Sequence, residues 1–187
     1  MRTRSNLIVA LFAIILLTGC STTPQKAVYV PIPLFEGKTT SQIDKVEAKL
    51  LAANPFIPIV SIHSFNHPGN NAFILRYYDE HGPIHMFIQQ GFLSGHSDTV
   101  IANLLGHEYG HAVSKNKHLD TYHGKHTPAW KQREADDIGM IIAANAGYDP
   151  CQMWKIAPYE IRRKARIKRR CGDIDALKQE YAEDIAR

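Results

Sequence analysis

Two histidines one helical turn apart, with a glutamate beside the first, constrain this chain more than any other feature. They are His107 and His111 of the run His107-Glu108-Tyr109-Gly110-His111. The surrounding stretch reads as a helix from Ser97 or Asp98 to about Lys115. Asp98 can cap it, and Ile101, Leu104, Leu105 and Tyr109 keep helical spacing. On such a helix, positions i and i+4 share a face, so both imidazoles can bind one Zn²⁺ at about 2.0–2.1 Å. Glu108 lies about 100° around from His107, beside a metal rather than on it. A carboxylate so placed can take a proton from an attacking water and pass it to a leaving amine. A catalytic zinc needs a third protein ligand and an open fourth position. Glu134, Asp136 and Asp137 are the downstream carboxylates on a helix that could supply it.

That second helix is expected over about Ala129 to Ala146, ending at Gly147 with Pro150 beyond. A first helix runs from Thr40 or Ser41 to about Ala53, with Ile43, Val46, Leu50 and Leu51 as its apolar stripe, and Asn54-Pro55 stops it. Ile57 to Phe65 reads as a strand. Ala72 to Tyr78 and Ile84 to Gln90 read as a β-hairpin around Asp79-Glu80-His81-Gly82, and His67-Pro68-Gly69-Asn70 is turn chemistry. Residues 116–128 form a polar loop, and a last helical stretch contains the basic run Arg162 to Arg170, broken by Gly172-Asp173. The fold class is therefore α+β: a small antiparallel sheet or hairpin packed on the histidine-bearing helix and on a second, ligand-bearing helix.

Four landmarks in order give the chain a resemblance. Asn71-Ala72-Phe73 enters the hairpin and Gly91-Phe92-Leu93 leaves it. The His107–His111 helix follows, then Glu134-Ala135-Asp136 with Gly139 and the segment Ala146-Gly147-Tyr148-Asp149-Pro150. Over roughly Phe56 to Tyr159 the chain resembles the HtpX-like and BepA-like zinc metallopeptidases, peptidase family forty-eight. The resemblance implies a zincin-like domain with one Zn²⁺ per chain, Glu108 as general base and acid, and protein or peptide substrates. It also implies that Asp136 supports a metal ligand from behind. In that family the third ligand is a Glu four residues before the Asp, where this chain has Gln132. Glu134 lies two residues further on, about 200° away on an ideal helix. Either the helix shifts in register so that Glu134 joins His107 and His111, with Asp137 supporting it, or Gln132 occupies the position. A neutral amide is a poor zinc ligand, which favours Glu134. His123 and His126 are loop substitutes. By the same resemblance, Ile84 to Gln90 is the sheet edge on which an extended substrate would add a strand.

The N-terminus sets the expected compartment. Arg2 and Arg4 precede an uncharged apolar run, Leu7 to Leu17, too short to span a bilayer comfortably. It ends in Leu17-Thr18-Gly19-Cys20, which resembles a lipoprotein processing box. Residues 1–19 are thus expected to be a signal peptide and Cys20 the lipidated first residue of a Ser-, Thr- and Pro-rich tether, 20–40. Ser21 in place of an Asp favours the outer membrane, facing the periplasm. The metallopeptidase domain is expected over 41–160, with a basic helical segment over 161–187. Removing the signal lowers the net charge from +4 to about +2, a balance that implies no nucleic-acid partner. Cys151 and Cys171 remain; an oxidising periplasm allows them to pair or to stay separate thiols. The basic run reads either as a solvated helix face or as a contact for anionic lipid head groups. Three functions are compatible with these residues: an envelope endopeptidase acting on misfolded or unfolded proteins, a zinc-holding binding or chaperone module, and a structural lipoprotein with incidental histidines.

Overall fold

In a computed structural model of the chain, residues 41–65, 72–76, 84–89, 95–114, 128–156 and 161–186 are described. The signal and tether (1–40), the turn at 67–70, the hairpin loop, Gly91-Phe92-Leu93, and the loop with His123 and His126 lie outside the described residues. The described ones belong to one compact unit, Leu34–Arg187, so the basic C-terminal segment shares a unit with the helices before it. No described helix is long and apolar enough to cross a membrane.

Local signals place the first helix where expected. Helix α1 is Ser41–Ala53 and buries Ile43, Val46 and Leu50. Leu51 does not share the stripe: it stands about 100° around from Leu50 and is 39% exposed. Asn54 does more than stop α1. Its buried amide donates to the carbonyls of Leu50 (2.8 Å) and Ile142 (3.1 Å), while its oxygen accepts from Asn145 (2.9 Å).

Strand β1 is Val60–Phe65, three residues shorter than expected. A turn closed by Ile57 N–H on the Asn54 carbonyl (3.1 Å) occupies its start, and Pro58 has no N–H to give a ladder. Strands β2 (Ala72–Arg76) and β3 (Ile84–Gln89) pair antiparallel, as the hairpin pattern requires. Strand β1 pairs with β3 in parallel, from Val60↔Ile84 to Phe65↔Gln89. The sheet, in the order β1-β3-β2, is therefore mixed rather than antiparallel. It also makes β3 the central strand, which overturns its expected role as an edge: both sides of its backbone are taken. Ile84, Met86 and Ile88 face the main core, and His63, His85 and Phe87 stack on one another on the opposite face.

Helix α2, Asp98–Val113, starts after Ser97 as N-cap, with Asp98 inside its first turn and accepting from Gln42 at 2.8 Å. Nearly all of its side chains are buried, so it is an interior helix rather than an amphipathic surface one. Helix α3, Ala129–Asn145, ends where Gly147 takes a φ of 74°, the left-handed conformation suited to a residue without a Cβ. A 3-10 helix, Pro150–Ile156, leads to α4 (Ile161–Arg170), α5 (Ile174–Glu180) and α6 (Ala182–Ile185). Helix α3 separates two clusters. Ile138 and Ile142 join the core of α1, α2 and the sheet; Met140 and Ile141 pack with Met153, Ile167 and Leu177 of the C-terminal segment. Cys151 and Cys171 are joined in a disulfide with their Cα atoms 5.0 Å apart.

Candidate metal centre

Small residues decide how α2 and α3 meet. A Cβ on Gly110 would lie 2.4 Å from the Ala135 carbonyl oxygen, and one on Gly106 would lie 2.8 Å from that of Gly139. A Cβ on Gly139 would in turn meet the backbone of Gly106 and His107 at 2.8 Å. The two backbones are thus in direct contact. Their closeness brings a short acidic side chain of α3 to the histidines of α2.

That side chain is Asp136, which is fully buried. Its Oδ1 lies 3.0 Å from His107 Nδ1. The same carboxylate takes both arms of the Arg163 guanidinium from α4: Nη2 donates to Oδ1 at 2.6 Å and Nε to Oδ2 at 2.9 Å. Burial by itself would push the Asp136 carboxyl up, but Arg163 and the His107 hydrogen bond together outweigh it and hold it at about 2. Asp136 is therefore ionised and can only accept. Of the two contacts on His107 Nδ1, Asp136 Oδ1 at 3.0 Å and Arg163 Nη2 at 3.4 Å, the shorter one decides, and His107 donates to Asp136 through Nδ1–H. In the neutral imidazole this leaves the Nε2 lone pair for a ligand.

His111 lies one turn on, buried, with its ring centroid 4.8 Å from that of His107. Glu108 is also buried, at 1% exposure. On the opposite side, Tyr109 anchors α2 to α1 by donating to Glu47 at 2.9 Å. Burial raises both the Tyr109 hydroxyl and the Glu47 carboxyl above their ordinary values.

Glu134 has a hydrogen-bond partner at the end of α2. Its carboxylate accepts from the Ser114 hydroxyl at 2.8 Å, and it lines a cleft of about 320 Å³ with Trp130, Asp137, Arg166, Arg170 and Tyr181. Asp137 is engaged by the C-terminal segment. It is bound by Arg166, by Arg170 at 3.2 Å and by the Tyr181 hydroxyl at 3.1 Å. The contact of Asp136 with His107 fixes the phase of α3, which leaves Glu134 about 200° around the helix and Gln132 one turn before Asp136 on its own side. Among the described residues no three His, Cys, Asp or Glu side chains converge in a metal-holding group.

Zinc, implied by the resemblance, fits these residues in part. Two neighbouring imidazoles, one held in the metal-binding tautomer by a buried carboxylate, are the donor arrangement such an ion takes. By helix phase, Gln132 is the α3 residue one turn before Asp136, on the side of α3 that meets His107.

The residue that sequence reasoning missed is Arg163. The basic run is not a uniformly solvated face. Arg163, Arg166 and Arg170 recur at helical spacing and turn inward onto Asp136, Asp137 and Glu180, leaving Arg162, Lys168 and Arg169 exposed. The signal was present as two adjacent carboxylates facing three arginines on one helical stripe. No protein-family model matches the chain, and no curated protein sequence matches it.

Proposed function

We propose that the chain is a zinc-dependent endopeptidase of the bacterial envelope, tethered through Cys20 and acting on misfolded or unfolded proteins. The observation that carries the reading is the hydrogen bond from His107 Nδ1 to buried Asp136, with His111 one turn away and Glu108 beside them. His107 and His111 would hold the ion, with the side-chain amide oxygen of Gln132, one turn before Asp136, as the candidate third donor. When bound, zinc polarises the scissile carbonyl and acidifies the attacking water. Glu108 accepts the proton of that water and delivers it to the leaving amine. The envelope assignment rests on the Leu7–Leu17 run and the Leu17-Thr18-Gly19-Cys20 box.

A second reading is favoured by one observation. Gln132 stands where a carboxylate would hold the ion more firmly, so the chain could instead be a zinc-holding module that binds unfolded clients without cutting them. The test is zinc content and cleavage of unfolded casein by the purified protein, with and without a chelator, for the wild type and Glu108→Gln. The endopeptidase reading expects zinc near one per chain in both proteins and a cleavage loss of about 10²–10⁴-fold or more in Glu108→Gln. Zinc binding without cleavage in the wild type selects the binding module. Absence of zinc from the wild type overturns both.

A further inference from the structure

The C-terminal helix α4 reaches further into the site than a packing element needs to. Arg163 comes from 27 residues beyond Asp136, yet its side chain is only 12% exposed; Nε and Nη2 both bond that carboxylate, and Nη2 also lies 3.4 Å from His107 Nδ1. A two-pronged guanidinium fixes the plane of a carboxylate, whereas a single contact fixes only a distance. With Nη2 on Oδ1 and Nε on Oδ2, Oδ1 is directed at His107 Nδ1. The rotation of the imidazole about its own axis is then set through Asp136 by a residue that does not bond the metal.

We propose that Arg163 is a positioning residue of the metal centre, and that the disulfide-closed C-terminal segment exists in part to deliver it. The proposal rests on the reading that His107 is a ligand. The delivery is built from three fixings of α4. Ile167, fully buried, holds its middle against Met140 and Ile141 of α3. Arg166 holds the same face through Asp137. Just past the end of the helix, Cys171 is bonded to Cys151 in the 3-10 segment that follows α3. Helix α4 therefore cannot slide along α3 without breaking a covalent link, so Arg163 stays in register with Asp136.

A merely structural arginine and a positioning one differ in what their loss changes. Arg170 is the control: it pairs with Asp137 and Glu180 and makes no contact with Asp136. The experiment compares the full-length protein with Arg163→Gln, Arg163→Lys and Arg170→Gln in two measurements. The first is zinc affinity by chelator competition. The second is the tautomer of His107 in the metal-free protein, read from long-range proton–nitrogen spectra at constant pH. Arg163→Gln is expected to lose about 10–100-fold in zinc affinity and to show His107 as a mixture of tautomers. Arg163→Lys, which keeps the charge but not the fork, is expected to shift the tautomer in the same direction, and it carries the test should Arg163→Gln not fold. Arg170→Gln is expected to lower the melting temperature while keeping wild-type affinity and a single Nδ1–H tautomer. Unchanged affinity and tautomer in both Arg163 variants would overturn the proposal, as would an equal effect of Arg170→Gln. A wild type that binds no zinc would sink the functional reading alone, because the metal-free tautomer still reports whether Arg163 acts on His107.

Discussion

Gly110→Ala should be one of the most damaging single-methyl additions in this protein, and the reason is visible in the meeting of α2 and α3. In an ordinary helix the change would stabilise by roughly 1 kcal/mol, since Gly is a poor helix former. Here the added Cβ would sit 2.4 Å from the Ala135 carbonyl oxygen and 3.0 Å from its Cα. Both are backbone atoms, so no side chain can rotate away. Relief requires the helices to part by about 1 Å to regain ordinary van der Waals separation. Overpacking of this kind costs about 1–3 kcal/mol, occasionally more, and a purely backbone clash belongs at the upper end. The net loss is then about 2 kcal/mol, or a melting temperature lower by about 4–8 °C for a domain of this size. The functional loss should be larger than the stability loss suggests. Moving α3 outward by about 1 Å takes Asp136 out of hydrogen-bond reach of His107, now at 3.0 Å, and lost support of a ligand typically costs 10–100-fold in metal affinity. Thermal melts and zinc competition on Gly110→Ala measure both effects. Gly172→Ala, with nothing within 4 Å of the added carbon, is the control and should melt within about 2 °C of wild type. A Gly110→Ala protein as stable as wild type, with wild-type zinc affinity, would refute the helix contact as drawn.

Three further outcomes follow from named contacts. Gln132→Glu should tighten zinc binding while Glu134→Ala leaves it unchanged; chelator competition showing the reverse would place Glu134 at the metal. Cys171→Ser should cost about 2–4 kcal/mol by releasing the loop closed from Cys151, measured by urea unfolding under non-reducing conditions. Asp136, at about 2 in the fold against an ordinary 3.8, contributes stability that is fully present above pH 3.8 and is lost as pH falls through about 2. That contribution is roughly 2 kcal/mol, so Asp136→Asn should flatten the stability profile across this window; an unchanged slope would show that the carboxylate is not held as described.

Much of the helical scaffold was legible because its signals are local. Asn54-Pro55 ends α1 and Gly147 with Pro150 closes α3, each through a cap or a breaker acting over a few residues; α2 starts at the expected place, though Asp98 lies in its first turn and Ser97 makes no side-chain cap bond. The hairpin of β2 and β3 was legible for the same reason. The parallel pairing of β1 with β3 was not, since it joins residues some two dozen positions apart without a turn to announce it. The site divides along the same line. His107 and His111 meet by the pitch of one helix. Whether Gln132 or Glu134 faces them depends on the rotation of α3 against α2. That rotation is set where Gly106 and Gly110 touch Ala135 and Gly139, two small-residue pairs at four-residue spacing on different helices. The basic run was misjudged for a related reason: its inward face is complementary to Asp136 and Asp137, carboxylates that lie on another helix.

Gln132 does not by itself decide between enzyme and binder, because holding a zinc ion and activating it make opposite demands on ligand charge. A carboxylate at the third position would hold the ion more tightly and also neutralise part of its charge. In the proposed site His107, His111 and Gln132 would bind as uncharged donors, because a metal takes the deprotonated imidazole, and Arg163 balances the charge of Asp136 behind them. Glu108 is then the carboxyl side chain next to His107 on α2 itself. Such a set holds the ion less firmly but leaves more of its charge to act on a carbonyl and a water. Three neutral imidazoles suffice for a working catalytic zinc in other proteins, so neutrality of the donors is compatible with catalysis. The burden falls instead on retention. An ion bound mainly by two imidazoles would need both of them held in orientation, and for His107 that orientation depends on the glycine contact between α2 and α3 and on the arginine arm brought in by α4.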